Sequence, residues 1–120
     1  MDIEGAEYGV ILSTPVSILL RFKIIIIELH HLHLLQDNWF LNFKFMPFIR
    51  KINESFDCVH AHGNNCCGNV DVGSYSIPRV LELTFYRRDD NNAKISWQPN
   101  ELDIKNVVSE PPLNLSAPFV

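Results

Sequence analysis

The stretch Asp2-Ile-Glu-Gly-Ala-Glu7 places three carboxylates around one glycine, directly after Met1. Carboxylates so grouped can orient a cofactor amine, hold a substrate hydroxyl, bind a metal or take a proton. The plainer alternative is a helix N-terminus that carries acids to suit the backbone dipole. Two further groups offer related chemistry. Glu28 and His30 close an apolar run and share one face of an extended strand. His60 and His62 repeat that spacing at the end of a second run, with Asn64 and Asn65 in the loop beyond. Methyl transfer to oxygen or nitrogen needs an aligned, often deprotonated nucleophile, and a carboxylate or neutral imidazole can serve as its base. His60 and His62 can also hold zinc with Cys66, Cys67 or Glu28, although their spacing matches no standard zinc signature. Satisfied edge histidines are the third alternative.

These groups need elements that carry them to one place. Residues 7–12 read as a short helix, and Ser13-Thr14-Pro15 restarts it over 16–21, with Ser13 or Thr14 as cap. Residues 22–30 contain four consecutive isoleucines and predict a strand buried on both faces. Asp37 or Asn38 caps a helix over 39–55, in which Pro47 predicts a kink. Residues 56–62 predict a strand, 63–68 a tight loop, and 70–77 a small hairpin around Gly73 or two short extended pieces. Residues 80–86 alternate as a strand, and 87–92 form a polar turn. Strands alternating with helices imply an α/β fold with a mostly parallel sheet. The last two long strands lack a clear connecting helix, so that pair can be antiparallel. Parallel strands would bring Glu28, His30, His60 and His62 to one carboxyl edge, beside Asp2, Glu4 and Glu7, where ligand crevices form.

Composition narrows the function. The chain has 120 residues, 47% of them apolar, and a net charge of −4. That fits one small domain with a real core and argues against a general nucleic-acid binder, which needs clustered Lys and Arg. The acidic N-terminus lacks the positive region of a signal peptide, so a cytoplasmic location is the default expectation. Arg21, Lys23, Glu28 and three histidines interrupt the apolar stretch at 16–35 and exclude a membrane-spanning helix. Cys58, Cys66 and Cys67 are an odd set without a secretory signal and read as reduced thiols. Gly63 and Gly68 have the spacing of a P-loop's glycines but lack the following Lys-Ser/Thr.

Four segments, in order, resemble the FkbM-type methyltransferases. They are Asp2-Ile-Glu-Gly-Ala-Glu7, Ile27-Glu-Leu-His30, Phe56-Asp-Cys-Val-His-Ala-His-Gly-Asn-Asn65 and Ile77-Pro-Arg-Val-Leu-Glu-Leu-Thr-Phe85. The resemblance runs from residue 2 to about residue 90, with a weaker echo at Leu102-Asp-Ile-Lys-Asn106. It implies the C-terminal half of a Rossmann-like class I methyltransferase sheet over 1–92, followed by an irregular, proline-containing tail over 93–120. The implied cofactor is S-adenosylmethionine, and the implied acceptor is a hydroxyl on a carbohydrate or small metabolite. Asp2, Glu4 and Glu7 would face the cofactor, Glu28, His30, His60 and His62 the reacting atoms, and Asn64 and Asn65 the acceptor. Such enzymes carry their Gly-rich cofactor loop before the acidic motif, and no G-x-G-x-x-G follows an apolar strand here. The chain therefore reads as a truncated enzyme, a non-catalytic fragment or a subunit that needs a partner. A small His/Cys metal module is the remaining alternative.

A sheet designed for cover on both faces and lacking its first strands exposes apolar side chains, each forfeiting ~1.5–3 kcal/mol. Domain stability is only ~5–15 kcal/mol. The expectation is a chain that alone is unstable, aggregating or oligomeric.

Overall fold

β-branched isoleucines are stiff at χ1 and crowd a helix, and the run of four forms β1, Ile24–Leu29. Strand β2 spans Phe56–Gly63, β3 and β4 are Asn69–Val72 and Tyr75–Pro78, and β5 is Leu81–Arg87. The computed structural model describes residues 1–88, 101–113 and 115. Most of the expected turn at 87–92, and half of the tail over 93–120, lies outside these residues.

β5 lies between β1 and β2 and pairs antiparallel with both. β3 and β4 pair antiparallel in a separate hairpin, one of the two forms that the sequence allows. The expectation of a mostly parallel sheet is therefore corrected, because every hydrogen-bonded strand pair among the described residues is antiparallel. The helix between β1 and β2 does carry the chain back, so these two strands run in the same direction. A hairpin, not a helix, joins β2 to β5. The chain re-enters near the end it left and can only run back. The result is a mixed helix and sheet domain. None of its described helices is long and apolar enough to cross a membrane.

Helix α1 is Glu7–Ser13 and α2 is Val16–Leu19. The hydroxyls of Ser13 and Thr14 both donate back to the Val10 carbonyl, at 3.2 and 2.6 Å. They close α1, contrary to the expectation that one of them caps α2, and Pro15 occupies that cap instead. After a 3-10 turn at Leu32–Gln36, the Asp37 carboxylate accepts from the Phe40 N–H at 2.8 Å and starts α3, Asn38–Phe40. A π-helical stretch, Leu41–Phe45, leads into α4, Met46–Asn53. Pro47 explains the wide turn. It has no N–H for the carbonyl four residues back, and its ring would crowd that carbonyl.

The helices cover one face of the sheet only. Tyr8, Ile11, Phe40, Phe48 and Ile52 pack on Ile27, Leu29, Phe56, Leu83 and Phe85 in one buried cluster. The Tyr8 ring meets Phe40 and Phe48 edge-on, with centroids 5.2 and 5.4 Å apart. β1 is thus not buried on both faces, as its composition suggested. Ile27 is buried, while Ile24 and Ile26 are 51% and 48% exposed on the uncovered face.

Phe48 is fully buried at the centre of the aromatic contacts. Phe48→Ala is expected to cost about 3–5 kcal/mol, read as a lower urea midpoint with an unchanged slope.

Candidate functional site

A bulge decides which side of the sheet carries the histidines. Cys58 pairs with Phe85 and His60 with Thr84, so Val59 is the extra residue. Before it, Phe56 and Cys58 turn inward; after it, Ala61 and Gly63 do. Without that extra residue, His60 and His62 would project into the core. With it they share the uncovered face with Thr84 and Glu82. Glu28, Glu82 and His62 stand side by side on one rung across β1, β5 and β2.

The acidic motif reaches the same edge. Met1 lies along β1: its amine donates to Ile26 O at 2.5 Å, and Glu28 N donates to Met1 O at 2.9 Å. These two bonds make one rung of a parallel ladder. The turn that follows has left-handed backbone at Glu4, φ 57°, and at Gly5, φ 102°. Gly5 is required twice over, because a Cβ there would also strike the His31 ring.

Glu7 organises this corner and is fully buried. Its Oε1 accepts from the Ile3 N–H at 3.1 Å, the Gly5 N–H at 3.2 Å and His30 Nδ1 at 2.9 Å. Burial pushes its carboxyl pKa up, but those N–H groups, its own N–H and the imidazole outweigh burial and hold it below the ordinary value. Because Nδ1 donates to Glu7, the His30 Nε2 lone pair faces outward, 3.8 Å from Asp2 Oδ1 and 3.6 Å from Glu4 Oε2. The Tyr8 hydroxyl fixes the His30 backbone through its carbonyl at 2.7 Å. Burial, and then the Glu7 charge, push the Tyr8 pKa well above the usual phenol range.

The second group centres on Asp103. His60 Nε2 lies 2.8 Å from Asp103 Oδ1, and His62 Nδ1 lies 3.9 Å from Asp103 Oδ2. With Asp103 accepting from Nε2–H, Nδ1 is the basic nitrogen of His60. His62 Nε2 is buried and has no hydrogen-bond partner.

Both asparagines are engaged inside the protein. The Asn64 amide donates to Glu28 Oε1, and its oxygen accepts from the Cys66 N–H at 2.9 Å. Asn65 donates to the carbonyls of Val107, Glu110 and Pro111, at 2.9, 3.2 and 3.3 Å, and accepts from Val107 N at 2.9 Å. It holds the described part of the tail against the β2 loop.

The cysteines need a correction. Cys66 and Cys67 are joined as a disulfide, against the expectation of three reduced thiols. An odd count excludes a closed framework but not a single pair. Cys58 is free, and burial pushes its thiol up to about 11, so it is protonated at neutral pH. The His/Cys metal set is not assembled. Among the described residues, the one grouping with ligand distances suited to an ion is Asp2, Glu28 and His30.

Sequence reasoning assigned no role to Asp103, Glu82 or Tyr8. The weak echo at residues 102–106 was the one signal for Asp103. Strand alternation put Glu82 opposite Leu81 and Leu83, but only register puts it between Glu28 and His62. No protein-family model matches the chain, and no curated protein or solved structure matches it either.

Two outcomes follow from this geometry. The stability that Glu7 contributes is complete above its ordinary pKa of 4.5 and is lost as pH falls from there through its lowered folded value. Urea midpoints measured across that window are expected to fall for the parent chain, and Glu7→Gln should flatten the fall. Asn65→Ala leaves the Val107 N–H and three carbonyls without the amide. It is expected to cost about 1–3 kcal/mol and to open residues 101–113 to limited proteolysis.

Proposed function

We propose that this chain supplies the acceptor side of an FkbM-like, S-adenosylmethionine-dependent methyltransferase acting on a hydroxyl. One observation supports the reading above the others. β1 and β2 run the same way with an antiparallel β5 inserted between them, and their carboxyl ends present Glu28/His30 and His60/His62 at a common edge. An edge where the carboxyl ends of two like-directed strands meet is where ligand crevices form in sheets covered by helices.

In this reading His60 is the general base. Asp103 orients its ring and stabilises the imidazolium formed when Nδ1 takes the acceptor's proton. S-adenosylmethionine, when bound, would supply the methyl group to the oxygen that His60 deprotonates. Asp2 and Glu4 stand at the exposed mouth, where the cofactor's ammonium group would be recognised.

A second reading, a partner-dependent or non-catalytic subunit, is favoured by the outer edge of β1. One parallel rung from Met1 occupies it, beside an apolar cavity of about 380 Å³ lined by Ile18, Phe22, Ile24 and Ile26.

The test is calorimetric titration of S-adenosylmethionine into the purified chain, followed by transfer of a labelled methyl group to a panel of alcohols and sugars. Saturable binding is expected, with transfer that falls at least about 100-fold in His60→Ala. A folded chain that neither binds nor transfers would sink the catalytic reading and leave the partner-dependent one.

A further inference from the structure

The structure points to a divalent-cation site at Asp2, Glu28 and His30, and we propose that the chain binds one ion of the Mn²⁺ class there. One ligand atom from each residue lies within 4.8 Å of the others. Neighbouring donors around a single ion at ~2.1 Å stand roughly 3 Å apart and opposite ones roughly 4.2 Å, so closure asks for up to about 2 Å. Asp2 is 58% exposed and can move that far. The exposed Glu4 carboxylate, 3.6 Å from His30 Nε2, is a candidate fourth donor.

The imidazole is prepared as a ligand. With Nδ1–H donating to Glu7, Nε2 is the nitrogen left toward the carboxylates. A carboxylate behind a histidine is the usual second partner of a metal-bound ring, fixing its tautomer and raising its basicity. Asn64 steadies Glu28 from the other side.

Excess negative charge is an independent argument. Glu7 is fully buried, and its Oε2 has no hydrogen-bond partner. Asp2, Glu4, Glu7 and Glu28 converge here, with Glu82 on the adjoining strand. Among the described residues, no Lys or Arg forms an ion pair with any of Asp2, Glu4, Glu7 or Glu28. The Met1 ammonium is hydrogen-bonded to Ile26 O. His30, when protonated, is the one ion-pair partner of Asp2, Glu4 and Glu7 among the described residues, so one imidazolium faces three carboxylates, and a dication lowers the cost of that excess. Two carboxylate oxygens and one imidazole nitrogen, without a thiolate, suit Mn²⁺ better than a soft ion.

Binding here does not depend on the methyl-transfer reading, and a chain that transfers no methyl group leaves it intact. The test is titration of Mn²⁺ into the full chain, with free ion counted by electron paramagnetic resonance. One ion per chain is expected. Asp2→Asn and Glu28→Gln should each weaken binding at least about tenfold, and Glu7→Gln should do so by about 10–100-fold. His60→Ala should leave the Mn²⁺ stoichiometry and affinity unchanged. Asp2 is exposed, so Asp2→Asn reports on the site even where the other variants lose structure by circular dichroism. A folded chain without stoichiometric binding overturns the proposal. So does binding that Asp2→Asn and Glu28→Gln leave unchanged, or that His60→Ala abolishes.

Discussion

The sheet depends on β5. It is the one strand paired on both sides, and it sets the register of its two neighbours against each other. β1 and β2 share no hydrogen bond. That Glu28 and His62 belong to one site follows only because Glu82 stands opposite both. An antiparallel central strand also places its own N-terminus where the outer strands end. Leu81 and Glu82 therefore begin where β1 and β2 finish, and the polar edge is assembled from three strands instead of two.

Glu7 does for the corner what β5 does for the sheet. Three donors from separate parts of the chain end on one oxygen: two amides of the strained turn and the ring of His30. Desolvation works against the charged form, and the donors win. The same contact fixes the backbone of the acidic motif, the entry to α1 and the tautomer of His30. An apolar residue at position 7 would leave the two amides and the imidazole without their acceptor, whereas Gln would keep an acceptor oxygen and remove the charge.

Much of this arrangement was legible from residue type. The four isoleucines, the Asp37 cap, the Gly73 hairpin and the alternation over residues 80–86 each specify local structure through sterics or hydrogen bonding within a few residues. Strand direction was not legible in the same way. It depends on whether a hairpin or a helix connects β2 to β5; the lack of a helix there already allowed that pair to be antiparallel, but not that β5 would insert between β1 and β2. The grouping of Glu28, His30, His60 and His62 at one edge came from the direction of β1 and β2, which the helical crossover does fix. Asp103 escaped because its place beside His60 is set by Asn65 and the tail carbonyls, more than forty residues away in sequence. The bulge at Val59 left a mark that can be read afterwards. The inward positions shift from Phe56 and Cys58 to Ala61 and Gly63, a phase change that a strict period of two forbids.

The uncovered face of the sheet bears on function through its division into two halves. Toward the Ile24 end it is apolar, with Ile24 and Ile26 about half exposed beside Phe22. Toward the Glu28 end it is polar, with Glu82 and the two histidines. An apolar surface gains by exclusion of water, whereas the carboxylates and imidazoles need solvent or a ligand to remain charged or reactive. A strand or partner laid along the outer edge of β1 would cover the isoleucines. Provided it stopped at the rung Met1 already occupies, the His30 and His60 end would keep the contacts it has now, with Asp103 beside the two histidines of β2. The same β1 can therefore support both association and chemistry, with Met1 marking the boundary between the two.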